Sequence, residues 1–475
     1  MQESPALPHS HFEYLQQLLA QQQEAHHARP YPDLAARLDL LDRLQRMLDQ
    51  HSDVFIQTIS DDFGYRSAQE TRMAELLVVQ LEIRHTRRKL ARWMKPRRMP
   101  TALSYWPASN HLMRQPLGVV GVVSPWNYPL QLALSPALAA LAAGNRVMIK
   151  PSELTPRFSE ALQQAVAKFF ATSELVVVPG DAEIGKAFTQ LPFDHLLFTG
   201  STAVGRAVAE AAASHLTPVT LELGGKSPAI IDTTADMAHA AHRIAVGKLL
   251  NAGQTCVAPD YVLVHRSQHE AFVEAYTAAV HALYPTLGDN PDYTSIISAR
   301  HFTRLVDLLQ DAHDRGARVV PIGETDSGMR KLAPCLVLDA QPEMRVMQEE
   351  IFGPILPVLI YDNVDQAIDR VRQGDHPLAL YWFGQDRTTQ DKILESTLAG
   401  GVTINDCLYH LTQESQPFGG VGASGMGAYH GEWGFRAFSK EKPVFTQSRW
   451  SGTRWLTPPY GTRFERLMQW LRRWG

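Results

Sequence analysis

Cysteine is scarce in this chain. Three occur in 475 residues, Cys256, Cys335 and Cys407, odd in number and far apart. That excludes a disulfide framework and points to a reducing compartment, the cytoplasm, where a thiol stays usable. Long apolar runs are lacking too. The longest, Leu130 to Gly144, contains Gln131, Ser135 and Pro136 and falls short of the ~18 residues that a membrane-spanning helix needs. The N-terminus begins Met1-Gln2-Glu3 and turns Gln- and His-rich. It lacks a basic segment followed by an apolar one, so no signal peptide is expected. Charge of one sign is also missing. A formal net charge of -4 gives the molecule no strong pull toward nucleic acid or an anionic membrane. No internal repeat, and no cluster suggesting a metal site, stands out.

What is present fits a large globular chain of two to four units, with 45% hydrophobic and 20% charged residues. Residues 10 to about 95 read as helical, with Leu34, Leu38, Leu41, Leu44 and Leu48 at helical spacing. Pro96, Pro100 and Pro107 then mark a short extended excursion. From Leu117 the texture changes. Gly118–Val123 is a continuous apolar run rich in valine, as expected of a buried parallel strand. Helix 130–143, strand 146–150, helix 157–170, strand 175–178, helix 182–191, strand 195–199 and helix 203–213 follow. This alternation is that of a doubly wound α/β domain. A second α/β stretch runs from about 224 to 415, with strands near 261–265, 335–338, 355–361 and 401–405.

Four segments carry chemistry. Thr199-Gly200-Ser201-Thr202-Ala203-Val204-Gly205 follows a strand and opens a helix, where glycine admits a phosphate and the helix end favours its charge. It is not the ordinary dinucleotide fingerprint, and alone it reads as a strand–helix turn. Lys150-Pro151-Ser152-Glu153 sits at the carboxyl end of an earlier strand, where ligands bind in such sheets. The bland reading there is a capped helix start at Ser152. Cys256 lies in the small, polar Asn251-Ala252-Gly253-Gln254-Thr255-Cys256, with Pro259 after it, which favours an accessible loop. Cys335 and Cys407 lie in or beside apolar strands and read as structural. Glu222 ends the strand 218–221 before Gly224-Gly225. It is either a base or a salt-bridge partner of Lys226 or another cation. Asn127, in Pro125-Trp126-Asn127-Tyr128-Pro129, is either an oxyanion donor or a turn residue.

Together these segments resemble the NAD(P)-dependent aldehyde dehydrogenase superfamily. The likeness extends to Glu349-Glu350-Ile351-Phe352-Gly353-Pro354 and to the glycine-rich run Pro417–Gly427. Gly425–Gly431 looks like the class 3 branch, and Leu249–Tyr261 is similar to bacterial coniferyl aldehyde dehydrogenases. The resemblance implies Cys256 as nucleophile and Glu222 as general base. Asn127 with the Cys256 backbone N–H forms the oxyanion hole. Lys150 and Glu153 hold the adenosine ribose and Ser201 the pyrophosphate, with Glu350 and Phe352 at the nicotinamide. Gly200, Gly205, Trp126 and Leu223 complete the cofactor set.

It further implies NAD, with NADP also admissible, and a homodimer. It divides the chain into a Rossmann-type NAD(P)-binding domain (1–98 and 113–222) and an α/β catalytic domain (223–442). A small β oligomerisation element (99–112 and 443–452) and a tail (453–475) complete the division. The expected activity is oxidation of an aldehyde, aromatic or long-chain, to its acid through a cysteine thioester. Two competing readings are a coenzyme A-acylating enzyme, which has no use for Glu222, and a non-catalytic scaffold, which has no use for any of the trio.

Two charged features stand apart. Arg84, Arg87, Arg88, Lys89, Arg92, Lys95, Arg97 and Arg98 form a basic run, read as a solvated helix face or a partner contact. In the tail, Phe464, Leu467, Met468, Leu471 and Trp474 share a helical stripe flanked by arginines. Docking on the protein or its partner subunit is expected, with peripheral membrane contact the less favoured reading.

Overall fold

The computed structural model describes residues 11–474. Residues 1–10, which bear on the signal-peptide expectation, Gly475 and the side chain of Trp474 lie outside the described residues.

Three sheets organise the chain. The first has six strands in the order Gly425–Met426, Val219–Leu223, His195–Gly200, Val119–Val123, Arg146–Lys150, Leu175–Val177. All are parallel except Gly425–Met426, which runs antiparallel to Val219–Leu223 with Gly425 opposite Glu222. The chain starts at the central strand Val119–Val123, winds outward to Leu175–Val177, then returns to His195–Gly200 on the other side. That reversal makes a crevice at the carboxyl ends of Val119–Val123 and His195–Gly200, the place where doubly wound sheets bind ligands. The helix Gln131–Ala143 is buried along its whole length, which explains why it reads as a continuous apolar run.

The second sheet has seven strands, ordered Arg318–Pro321, Cys335–Leu338, Ile355–Tyr361, Tyr261–His265, Pro228–Ile231, Ala379–Phe383, Gly401–Ile404. Only the first pair is antiparallel. The short strands Pro228–Ile231 and Ala379–Phe383 carry no alternating pattern because both faces are buried, and the sequence reading passed over them.

The third sheet is antiparallel: Arg97–Met99, Ser109–Pro116 and Ser439–Thr446. Its strands are displaced from the expected 99–112 and 443–452. The excursion near Pro96–Pro107 holds one short strand and a turn at Leu103–Tyr105, and the pairing partner arrives from residue 439 onward. Asn145 fastens this return. Its Oδ1 accepts from the amides of Leu117 and Gly118, and its Nδ2 donates to the Phe438 carbonyl at 2.9 Å.

Two smaller expectations need correcting. The helix Pro156–Phe169 is capped by Asp62, whose carboxylate accepts from the amides of Arg157 and Phe158, and not by Ser152. Only part of the basic run lies on a helix: Arg84, Arg87, Arg88, Lys89 and Arg92 are on Leu77–Trp93, where Arg87 pairs with Asp42 and Arg92 with Glu432, whereas Lys95 follows it and Arg97 and Arg98 belong to the strand Arg97–Met99. The tail helix Thr462–Trp474 rests on its own preceding turn, with Phe464 against Tyr460 at 4.8 Å, and leaves Trp470 exposed. No described helix is long and apolar enough to cross a membrane.

Candidate active site

The loop carrying Cys256 is built from strain and hydrogen bonds. Asn251 and Ala252 adopt left-handed backbone (φ 54° and 53°) that a regular helix end would avoid. Gln254 holds them there. Fully buried, it donates to the carbonyls of Asn251 and Ser295 and accepts from the Ile297 amide. Glu70 accepts from the Asn251 amide and from the Thr294 hydroxyl. The loop delivers Cys256 half-buried, with Thr255 bonded to the Tyr128 hydroxyl at 2.7 Å. Cys335 and Cys407 are buried in strands or beside them, as expected.

Asn127 is brought to this loop. Its Nδ2 donates to the Gln254 carbonyl at 3.1 Å, which uses one of two amide hydrogens and leaves the other for a ligand. Its backbone carbonyl accepts from Arg66 and from Asn251 Nδ2. Arg66 in turn pairs with Glu75 at 2.8 Å, both side chains with no exposure, and Glu75 accepts from the amides of Leu130 and Gln131. Asn127 is thus an anchored group rather than a free turn residue.

Glu222 lies inside the strand Val219–Leu223, not after its end. It is 2% exposed, and neither carboxylate oxygen has a hydrogen-bond partner. The alternative partner, Lys226, is occupied elsewhere, by Asp260 and by the carbonyls of Val346 and Glu349. Burial holds the Glu222 carboxyl well above the usual carboxylate range. Burial also pushes the Cys256 thiol up to about 12, with Glu350 and Glu222 adding to it and the amides of Cys256 and Val257 opposing it. The thiol therefore needs a base to ionise near neutrality, and a buried carboxylate with a raised pKa is a stronger base than an exposed one.

The cofactor candidates gather at the carboxyl ends of the first sheet. Lys150 is buried and spends two of its three N–H donors on the carbonyls of Pro151 and Gly180. Glu153 is exposed nearby. Ser201 caps the helix Thr202–Ala213, and Gly205 on its first turn packs against Leu223. Trp126 meets Phe352 edge-on at 5.4 Å and His301 at 5.2 Å. Glu350 lies so close over Gly224 that a Cβ there would fall 2.0 Å from its Oε2. Burial pushes Glu350 up to about 8, helped by Asp260. A cleft of about 380 Å³ lined by Thr202, Gly224, Gly225, Lys226 and Glu350 adjoins them. Glycine backbone, a helix N-terminus and a lysine with a spare donor suit a dinucleotide's phosphates and sugars.

Residues 7–444 match the aldehyde dehydrogenase family. The chain belongs to that family. It is an enzyme that oxidises aldehydes to acids. A probable coniferyl aldehyde dehydrogenase of Pseudomonas aeruginosa is 49% identical over 454 residues, 96% of this chain and 95% of that one. Staphylococcus aureus AldH, solved in a substrate-bound state, superposes with a TM-score of 0.92 at 36% identity, covering 96% of this chain and 99% of its own. The indole-3-acetaldehyde dehydrogenase AldA of P. syringae, solved with NAD+, shares the fold at a TM-score of 0.84 and 24% identity, over 92% of this chain and 89% of its own.

Within this aldehyde dehydrogenase the sequence reading missed the supporting residues. Arg66 lies in the short loop after the helix Leu34–Phe63 and Glu70 and Glu75 in the helical turns that follow, and only the three-dimensional meeting with residues 127–131 and 251 reveals them. One signal was available: charged residues amid a buried apolar pattern call for partners. Among the aromatic residues, Tyr128 and Phe418 are buried, Trp126 is half-buried, and Tyr409 is exposed with Arg243 over its ring at 5.4 Å.

Proposed function

We propose that Cys256 attacks the aldehyde carbonyl, that Glu222 takes the thiol proton and later activates water, and that Asn127 Nδ2 and the Cys256 amide hold the developing oxyanion. The observation that carries this reading is Glu222: a buried carboxylate without a partner, within electrostatic reach of the thiol. A nicotinamide ring, when bound, supplies the hydride acceptor. The chain's residues do the rest. The first attack gives a thiohemiacetal on Cys256, loss of hydride leaves a thioester, and water deprotonated by Glu222 releases the acid. Two anchored N–H donors facing the oxyanion stabilise it by several kcal/mol, of order ~3 per donor.

We assign the dinucleotide to Lys150, Glu153, Gly200, Ser201, Gly205, Trp126, Leu223, Glu350 and Phe352. An acidic Glu153 beside the ribose repels a 2′-phosphate, which favours NAD over NADP. The substrate class follows the P. aeruginosa relative: an aromatic aldehyde of the coniferyl type. We further propose a cytoplasmic homodimer. The edge strand Ser439–Thr446 and the exposed Leu103, Trp106 and Phe445 offer the surface. The division into a cofactor domain, a catalytic domain and a small β element is kept, with the β element moved to the third sheet, Arg97–Met99, Ser109–Pro116 and Ser439–Thr446, and Gly425–Met426 returning to the first sheet.

Cys256→Ala is expected to abolish reduction of NAD with coniferyl aldehyde and with simple aliphatic aldehydes, while leaving NAD binding by calorimetry intact. Turnover by that variant would remove Cys256 from the chemistry. A panel of aldehydes with both cofactors then reads the specificity, and equal rates with NADP would overturn the role of Glu153.

A further inference from the structure

Glu222 poses a problem of proton balance. It takes a proton from the thiol and another from water, and nothing polar touches it. The thiolate released on hydrolysis takes one proton back, so one proton per turnover has to leave a fully buried carboxyl, after acylation and before Glu222 can activate water.

A buried polar cluster lies next to it, outside the chemistry described above. Tyr429, 1% exposed, has no partner for its hydroxyl. Its segment returns to the Glu222 strand through the pairing of Gly425 with Glu222. Beyond it is a cavity of about 10 Å³, room for one water, lined by Glu82, Ser135, Glu414, Tyr429 and His430. Four of its polar atoms are buried and unpartnered: Glu82 Oε1, Glu414 Oε2 and both His430 ring nitrogens. His430 Nε2 stands 3.9 Å from Glu82 Oε1. His430 is held at φ 94°, and the next residue, Gly431, leaves no room for a Cβ, which would fall 2.1 Å from the Glu414 carbonyl. The backbone is thus bent to bring the imidazole and Glu414 to one place. Apolar packing alone would have left such a site dry and nonpolar.

Glu414 also has a second face. With Trp93 it lines an open pocket of about 420 Å³, alongside His85, Lys89, Arg92, Glu432 and Arg436. It is the residue that joins the inner cavity to solvent.

We propose that Tyr429, the cavity of Glu82 and His430, and Glu414 form the outlet by which protons taken up by Glu222 reach solvent. A hop through the tyrosine accepts one proton on its oxygen and passes another outward, so Tyr429 never carries charge. Burial opposes its ionisation, and Glu222, Glu82, Cys256 and Glu414 add to this. Glu414, pushed up to about 7 by burial, holds and releases a proton near neutrality. His430 is pushed down to about 4 by burial and stays a neutral relay.

The inference rests on Glu222 as the base. Its test compares Tyr429→Phe and Glu414→Gln with wild type in weak buffer. Both variants are expected to keep the first-turnover burst of NADH and the KM for aldehyde. Their steady-state kcat falls about a hundredfold, the lower end of what one lost acid–base group costs. Added imidazole or formate, small enough to carry protons, restores much of it, and the solvent deuterium effect on kcat rises. Unchanged turnover in both variants overturns the outlet. So does a loss that buffer does not relieve, or one that also removes the burst, because either marks a structural role. If one variant fails to fold, by circular dichroism and thermal melting, the other decides. A wild-type enzyme that reduces no NAD with any aldehyde is a failure of the proposed function. Normal wild-type turnover with two silent variants is a failure of the outlet alone.

Discussion

Glu75 and Glu222 are both buried glutamates near the same nucleophile, and their surroundings differ completely. Glu75 meets Arg66 and two backbone amides, and through Arg66 it holds the carbonyl of Asn127. Glu222 meets no polar partner. Burial alone therefore does not distinguish a structural carboxylate from a reactive one. The partner count does. A carboxylate with its charge shared fixes geometry, whereas one left alone keeps its affinity for a proton.

The largest expected effect comes from breaking the structural member. Glu75→Ala strands the Arg66 charge and is expected to cost about 3–5 kcal/mol, read from the midpoint of urea unfolding. It also lowers kcat by loosening Asn127. A cost below about 1 kcal/mol would erase the contrast between the two sites. Breaking the reactive member has the opposite profile. Glu222→Gln slows the acylation burst as well as hydrolysis, loses about 10²- to 10⁴-fold in steady-state rate, and unfolds no more easily than wild type. Rapid-quench kinetics beside a thermal melt separates the two effects.

The pH dependence sharpens the comparison. The folded Glu222 carboxyl is raised above the ordinary value of 4.5. A raised carboxyl contributes stability below that value, and the contribution is lost as pH climbs toward the folded-state pKa. The melting temperature of wild type is therefore expected to fall behind that of Glu222→Gln as pH rises from about 4.5. A constant gap would contradict the raised pKa. The smallest effect belongs to a half-buried pair with no share in the chemistry. Arg43 grips Glu174 through both carboxylate oxygens at 2.7 and 2.8 Å. Glu174→Gln is expected to cost about 1 kcal/mol with kcat unchanged.

The alternating βα pattern from residue 117 to 213 was legible because each strand there is a continuous apolar run flanked by glycine or proline. The equally buried Pro228–Ile231 escaped because it opens on a proline, which reads as a break rather than as a central strand. Cys256, Glu222 and Asn127 were legible from their small, polar, glycine-rich neighbourhoods. Arg66, Glu70 and Glu75 were not, since their meaning comes from partners 55 to 224 residues away. Lys226 as a partner of Glu222 was the natural local reading, and the distant Asp260 took it instead.

The short strand Gly425–Met426 has a further consequence, in the order of synthesis. It is the cover for the outer edge of Val219–Leu223, and the ribosome delivers it some two hundred residues later. Through that interval the strand bearing Glu222 is an open sheet edge, the kind that recruits other chains. A single acidic residue in the middle of Val-Thr-Leu-Glu-Leu is what a nascent edge needs to stay unpaired. The same carboxylate that waits for a proton in the finished enzyme thus also guards the growing one.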